Sequence, residues 1–124
     1  MKLHLSRFTG QNAFSGYGED YVTINGQRHA HSVLVLPDEL RDWPALILDE
    51  SAFAPLMDLP VEILLLGTGR KLRFPHPSIA VSFRQKGIGL EVMDTPAACR
   101  TYNILLSEAR KVAAAIFIEA APTP

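Results

Sequence analysis

The sequence contains a single cysteine, Cys99, among 124 residues. One thiol excludes an internal disulfide and therefore the small disulfide-stabilised scaffolds of secreted proteins. No apolar stretch approaches the roughly 20 residues that a membrane-spanning helix needs. The first ten residues lack the apolar region of a signal peptide. We therefore expect a cytoplasmic protein that does not span a membrane.

Neither sign of charge dominates the chain. It has 12 Lys and Arg residues against 13 Asp and Glu residues, a formal net charge of -1. Without a basic excess, the chain lacks the electrostatic footprint of a nucleic-acid-binding protein. Its length fits a single domain over residues 1–124, in which residues 120–124 are expected to form a frayed tail.

The first half of the sequence predicts antiparallel strands. A short strand is expected over Lys2–Leu5, and Gln11–Gly18 is expected to be a connection or a weak edge strand. The Asn-Gly dipeptide at 25–26 suits a type I′ turn, which needs positive φ at both central positions. It joins predicted strands over Tyr21–Ile24 and Gln27–Leu36.

Pairing across this turn would set Val22 opposite His29 and would place His29, His31, Val33 and Val35 on one strand face. Two imidazoles at this spacing can contribute to a metal site. Two ligands from one strand are too few, however, and the sequence places no cysteine or further histidine to help. We expect a solvated strand face and no metal.

The segment that follows is expected to be irregular. Residues 38–44 are predicted to form a polar loop in which Trp43 is a packing anchor. Residues 46–48 could form a short strand. Asp49 is predicted to cap a short helix that extends to residue 57.

The second half predicts a β-α-β-α-β unit. Its strands are predicted over 61–66, 88–93 and 112–118, and its helices over 78–86 and from 95 onward. Such an order implies parallel strands joined by right-handed crossovers. The fold class that we expect is α/β: a single three-layer domain with a mixed sheet, in which antiparallel strands and a hairpin precede this unit.

The long helix is expected to begin with Thr95 as its N-cap, because Pro96 favours an extended conformation in the preceding residue. Helical spacing predicts a core stripe of Ala98, Tyr102, Leu105 and Ala109. The opposite, solvent-facing side is predicted to carry Arg100, Asn103, Ser107 and Lys111. Ile104 falls on this outer side. An exposed isoleucine is ordinary surface, contacts a covering loop or, with Ser107, forms part of a contact with a partner protein.

No Ser-His-Asp order or nucleophile elbow occurs, so we assign no catalytic residue and no cofactor. Cys99 lies in the first turn of a predicted helix, where the helix dipole can lower the pKa of a thiol, but no base is identified beside it, which favours a small buried or half-buried residue. The Gly67-Thr68-Gly69 loop could bind an anion, although a tight turn is favoured because no phosphate-loop motif is present. A candidate pocket would comprise Gly67, Thr68, Gly69, Thr95, Arg100 and Asn103.

Three stretches resemble a known family: residues 66–69 (LGTG), residues 87–93 (GIGLEVM) and residues 98–103 (ACRTYN). The sequence resembles the small bacterial and archaeal domain of unknown function whose mitochondrial members include complex I (NADH:ubiquinone oxidoreductase) assembly factor 3. The resemblance implies a compact α/β domain that acts through protein contacts. It implies no catalytic residues.

Two departures from the family pattern stand out. The sequence carries no mitochondrial targeting extension, which indicates a bacterial member that acts in the cytoplasm. Ala109 occupies a position where the family often has glycine, which weakens the expectation that the helix stops there in a left-handed conformation.

Two functions remain open at this stage. The favoured one is a non-catalytic protein-interaction module that assists assembly of a respiratory or other membrane-bound complex, with subunits or assembly proteins of that complex as partners. The alternative is a small-ligand or anion-binding domain, with or without enzymatic activity, whose pocket lies at the carboxyl ends of strands 61–66 and 88–93.

Overall fold

The computed structural model describes residues 10–119. Its strands are β1 (Phe14–Tyr17), β2 (Val22–Ile24), β3 (Gln27–His29), β4 (Val33–Leu36), β5 (Glu39–Asp42), β6 (Ile63–Gly67), β7 (Gly89–Met93) and β8 (Val112–Ile116). Its α-helices are α1 (Glu50–Phe53), α2 (Pro77–Gln85) and α3 (Thr95–Ser107). The predicted strand at residues 2–5 and the predicted tail at 120–124 lie outside the described residues.

Two sheets organise the fold. A five-stranded sheet has the order β5-β4-β8-β6-β7, and a three-stranded sheet has the order β1-β2-β3. β8, β6 and β7 are parallel because α2 and α3 provide the crossovers, whereas β4 runs antiparallel to both β5 and β8. The predicted mixed α/β fold with a β-α-β-α-β unit is confirmed.

The two faces of the five-stranded sheet bury different clusters. On one face, which we call the first core, α1, α2 and the loop before α1 contribute Trp43, Phe53, Phe83 and other apolar residues. On the other face, the second core, α3 and the three-stranded sheet contribute Phe14, Tyr102 and their neighbours. The sheet is therefore the middle of three layers.

The predicted hairpin is confirmed, but its second strand is shorter than expected. Asn25 and Gly26 have φ of 50° and 83°, and Val22 pairs with His29. The prediction of one strand over Gln27–Leu36 is wrong, because β3 and β4 belong to different sheets. Every residue of β4 is buried whereas β3 lies near the surface, so the chain changes sheets between them. The expected face shared by His29, His31, Val33 and Val35 is therefore wrong as well.

Three further predictions for the first half have clear outcomes. The edge-strand alternative for residues 11–18 is confirmed by β1. The loop predicted over 38–44 is wrong, because β5 pairs with β4 there around a two-residue turn. The strand suggested at 46–48 is also wrong, since those residues are irregular.

Trp43 is the packing anchor that the sequence predicts. Its side chain is buried, and its indole Nε1–H donates to the carbonyl of Ala52 at 2.7 Å. Asp49 caps α1 as predicted, because its carboxylate accepts from the Ala52 N–H at 3.0 Å. These contacts fold the segment between β5 and β6 onto the first core.

α3 differs from its prediction at both ends. Its N-cap is Asp94 rather than Thr95: the Asp94 carboxylate accepts from the Ala97 N–H at 2.9 Å. An ionised carboxylate at this position also interacts favourably with the helix dipole, which explains the choice. Ala109 is exposed beyond the end of α3, so its place in the predicted core stripe is wrong, whereas Ala98 and Tyr102 are buried as predicted.

α3 is followed by a left-handed stop, although the alanine at position 109 weakens the expectation of one. Ala109 has φ of 59°, a conformation that glycine adopts more easily than alanine. The N–H of Ala109 bonds the carbonyl of Leu106 at 3.0 Å, and the N–H of Arg110 bonds the carbonyl of Leu105 at 3.0 Å. These bonds close the helix in spite of the alanine.

Candidate functional site

The carboxyl end of β6 meets the start of α3. The Gly69 N–H donates to the Thr95 hydroxyl at 2.8 Å, and the Thr95 N–H donates to the Gly69 carbonyl at 2.9 Å. Thr68 N–H donates to the Met93 carbonyl at 3.0 Å. Four of the six residues of the candidate pocket, Gly67, Thr68, Gly69 and Thr95, are thus brought together.

Polar groups of this loop bond one another. The Thr68 hydroxyl donates to the Lys71 carbonyl at 2.6 Å and accepts from the Arg73 N–H at 3.2 Å. Gly67 lies so close to α3 that an added Cβ would be 3.1 Å from the Cβ of Ala98. The geometry is that of a tight, self-bonded turn, in which the Thr95 hydroxyl oxygen accepts the bond from the Gly69 N–H.

Asn103 and Arg100 lie along a different contact, between α3 and β1. The Asn103 amide accepts from the Phe14 N–H at 3.0 Å and donates to the Phe14 carbonyl at 2.8 Å. Arg100 Nη1 donates to the Tyr17 hydroxyl at 3.0 Å. Asn103 is 8% exposed, so its predicted place on the solvent-facing side of α3 is wrong. Helical spacing could not reveal that β1 packs against this side.

Cys99 is buried, as expected, in the second core. Burial raises the pKa of its thiol to about 12, and the nearby Arg100 charge only partly opposes this shift. A thiol with such a pKa stays protonated at neutral pH, and the thiolate is the nucleophilic form. Cys99 therefore acts as a packing residue.

His29 and His31 line a surface groove of about 360 Å³ together with Arg28 and Asp42. The Nε2 atom of His29 is buried and has no hydrogen-bond partner among the described residues. Within residues 10–119, no three His, Cys, Asp or Glu side chains are arranged to hold a metal ion.

Large apolar side chains are exposed at one end of the five-stranded sheet. Leu46 is 85% exposed and Ile47 63%, in the segment after β5; Leu72 is 53% and Phe74 73% exposed, in the segment after β6. Both segments adjoin the residues after β8: the Trp43 and Phe117 rings are 6.4 Å apart, and Arg73 pairs with Glu119 at 2.6 Å. We call these four residues the apolar tip.

The apolar tip was not predicted as a site from the sequence. The available signal was the presence of large apolar residues in segments without a buried periodic pattern. The predicted partner-contact residues lie elsewhere, on the outer side of α3. Ile104 is 57% exposed, and the Ser107 hydroxyl donates to the Ile104 carbonyl at 2.6 Å.

The fold and these contacts define a class of protein: a small mixed α/β domain in which a second, antiparallel sheet is fixed to the long helix by a buried asparagine. The chain belongs to the family described as "Protein of unknown function (DUF498/DUF598)", whose model matches residues 14–117. The family resemblance inferred from the sequence is thereby confirmed.

Two relatives and one solved structure illustrate the family. The chain is 33% identical over 121 residues to mouse "NADH dehydrogenase [ubiquinone] 1 alpha subcomplex assembly factor 3", an alignment that covers 94% of this chain and 65% of that protein. It is 38% identical over 121 residues to the "13 kDa major membrane protein" of Francisella tularensis, covering 94% and 98% of the two chains. A crystal structure of a Bordetella parapertussis protein matches with a TM-score of 0.81 at 32% identity, covering 89% and 98%.

The chain spans 57% to 65% of the length of the vertebrate assembly factors that it matches. The function of those full-length proteins is therefore assigned to this chain only as a proposal. Among residues 10–119, no helix is both long enough and apolar enough to cross a membrane.

Proposed function

We propose that this protein is a protein-interaction module that assists the assembly of a respiratory or other membrane-bound complex. Its partners would be subunits or assembly proteins of that complex, and it would act in the cytoplasm, at the membrane face. The names of its vertebrate relatives, which are assembly factors of NADH dehydrogenase, support this function.

The observation that carries the proposal is the apolar tip. Large apolar side chains that stay exposed in neighbouring segments commonly mark contacts with other proteins. Leu46 and Phe74 leave most of their surface in solvent although buried positions lie only a few residues away, at Trp43 and Ile79. Ile104 and Ser107 on α3 are proposed as an additional contact.

The test is affinity purification of the tagged protein from its own host, scored by mass spectrometry for respiratory-complex subunits. We expect the wild type to recover such subunits and the double variant Leu46→Ser/Phe74→Ser to recover fewer. Leu40→Ser on β5 is the control, because Leu40 is also exposed but belongs to a strand that pairs with β4 and not to the apolar tip. Ile104→Ser tests the α3 contact in the same experiment.

Two results would count against this function. If the wild type recovers no respiratory or other membrane-complex subunit, the assembly role is overturned. If recovery is equal for the wild type and every variant, the contact lies on a different surface.

A second candidate function is anion binding at the start of α3. It is favoured by one observation: Gly67, Thr68, Gly69 and Thr95 meet at a helix N-terminus, where backbone N–H groups attract anions. Anion binding is the weaker candidate, because polar groups of this turn already bond one another. Its test is the melting temperature in millimolar phosphate, which should rise for the wild type; an unchanged wild-type value would exclude it.

A further inference from the structure

β7 lies at an edge of the five-stranded sheet, and among residues 10–119 it pairs only with β6. The Gly89 N–H donates to the Glu62 carbonyl at 2.8 Å, and the Met93 carbonyl accepts from the Thr68 N–H at 3.0 Å. Along a strand of a parallel pair, every second residue bonds the neighbouring strand through its N–H and C=O, and the residues between them direct these groups to the opposite side. Gly89, Glu91 and Met93 therefore bond β6, whereas the N–H and C=O groups of Leu90 and Val92 face away from the sheet.

These four outward groups have no hydrogen-bond partner within residues 10–119. β7 is also accessible: Gly89 and Glu91 are exposed, and the other three residues are partly exposed. An open row of backbone donors and acceptors is a template on which another extended segment can pair.

The opposite edge of the same sheet is protected. All four residues of β5 are exposed, and Arg41 donates to both carboxylate oxygens of Glu39 at 2.6 and 3.0 Å. Charged side chains along an edge strand disfavour pairing with another strand. β7, with the sequence GLEVM, carries a single charge, at Glu91.

The side chains of β7 specify what an added strand would contact. Leu90 and Val92 are partly buried against the first core. Glu91 lies between them and so points to the other face, where it is exposed. A strand added here would place apolar residues beside Leu90 and Val92 and one residue beside a solvated carboxylate.

We propose that β7 binds an extended segment of a partner protein by strand addition, with apolar residues beside Leu90 and Val92 and Lys or Arg beside Glu91. Backbone hydrogen bonds would supply much of the affinity, and the pair at Glu91 would supply selectivity. This inference deepens the proposed interaction function and rests on it, since it adds β7 as a contact surface beside the apolar tip and names the chemistry of the partner segment that β7 binds.

A second copy of this chain is a poorer match for the same edge. The antiparallel register that bonds all four outward groups sets Leu90 opposite Val92 of the copy, and it therefore sets the two Glu91 side chains directly opposite each other. Like charges in directly opposed positions destabilise a strand pair. The edge is thus complementary to a segment with a basic residue rather than to itself.

The test is a nuclear magnetic resonance titration of the full-length ¹⁵N-labelled protein. The two probes are the acetylated and amidated peptides Thr-Val-Lys-Val-Thr and Thr-Val-Glu-Val-Thr. We expect the lysine peptide to shift the amide signals of Leu90 and Val92, with a Kd on the order of millimolar, because few backbone bonds are formed. The glutamate peptide should bind about fivefold more weakly, since its charge matches that of Glu91.

A matched pair of proline variants isolates the outward N–H groups. Val92→Pro removes an outward donor without removing a bond to β6, and proline is tolerated at such edge positions. It should abolish binding. Leu40→Pro is the control on β5: the two-residue turn makes Leu36 and Glu39 the hydrogen-bonded pair, so Leu40 faces outward there. It should leave binding unchanged.

Glu91→Lys provides a variant that changes an exposed side chain only, and it should reverse the preference between the two peptides. The proposal is overturned if the amides of Leu90 and Val92 do not respond to millimolar peptide. It is equally overturned if Val92→Pro binds as the wild type does, or if the protein dimerises through β7 instead.

The outcome is separable from that of the assembly role. Complex subunits recovered equally by the wild type and Val92→Pro would support the assembly role and contradict partner binding at β7. Peptide binding at β7 without recovery of any such subunit would support partner binding at β7 and contradict the assembly role.

Discussion

The two faces of the five-stranded sheet are buried by different means. The first core is aromatic: Phe53 packs against Trp43 and Phe83 with ring centroids 5.8 and 6.1 Å apart, and Trp43 packs against Phe117. Its stability depends on the large apolar area that these side chains remove from water.

The second core combines close packing with specific polar bonds. Gly67 and Ala98 allow α3 to approach β6, and the Phe14 and Tyr102 rings meet edge to face at 5.2 Å. Asn103 binds the backbone of Phe14, and the Tyr102 hydroxyl donates to the Asn12 carbonyl at 2.9 Å. The first face thus depends mainly on the volume of its aromatic side chains, whereas the second depends on close fit and on a few directed bonds.

Removing one aromatic side chain from the first core should have the largest effect. We expect Phe53→Ala to lower the free energy of unfolding by about 3–5 kcal/mol, because the ring is fully buried between two others. Urea unfolding followed by circular dichroism measures this change. Leu46→Ala is the control, since Leu46 is 85% exposed and its loss should cost less than about 0.5 kcal/mol. A loss below about 1 kcal/mol for Phe53→Ala would contradict an aromatic first core.

Replacing the buried amide should damage the second face more locally. Asn103→Leu leaves the N–H and C=O of Phe14 without partners, so we expect a loss of about 2–4 kcal/mol. Amide hydrogen exchange should accelerate in β1 more than in β6. Asn103→Asp keeps an acceptor for the Phe14 N–H but provides no donor for the Phe14 carbonyl. Its free energy of unfolding should fall between those of the wild type and Asn103→Leu. Uniform acceleration across both strands would contradict the local role.

A single methyl group tests the close approach of α3 to the sheet. In Gly67→Ala the new Cβ would be 2.9 Å from the Ile116 side chain and 3.1 Å from Ala98, so we expect a loss of about 1–3 kcal/mol. Gly89→Ala on β7 is the matched control, because its nearest neighbour is the Glu62 carbonyl at 3.7 Å, an ordinary contact. Equal unfolding free energies for the two variants would show that the second face is not tightly packed.

The sequence predicts the parts of the fold that local chemistry determines. The Asn-Gly turn at 25–26, the cap at Asp49 and the β-α-β-α-β order depend on residues close together in the chain, and the structure confirms them. The break between β3 and β4 cannot be predicted from neighbouring residues, because it depends on which strand the five-stranded sheet buries. The same holds for β5, whose all-exposed residues give no alternating pattern.

The candidate site shows the same division. The meeting of Gly69 with Thr95 follows from the parallel order of β6 and β7, which the sequence predicts. The burial of Asn103 depends on β1, which lies 89 residues away in sequence, and a helical wheel of α3 alone assigns that side to solvent. The hydrophobic periodicity of a helix does not predict which of its sides is covered by a sheet from a distant part of the chain.

The end of α3 offers the smallest and most diagnostic change. Ala109 adopts φ of 59°, which costs an alanine roughly 1 kcal/mol relative to glycine, so Ala109→Gly should raise the free energy of unfolding by about 1 kcal/mol. Ala97→Gly, within the same helix, should lower it by about 0.5–1 kcal/mol, because glycine there only adds chain entropy to the unfolded state. Urea unfolding of both variants compares the two directly. Opposite signs would show that the end of α3 holds an alanine in a conformation that glycine adopts more easily, and a loss of stability in both variants would contradict a left-handed stop at Ala109.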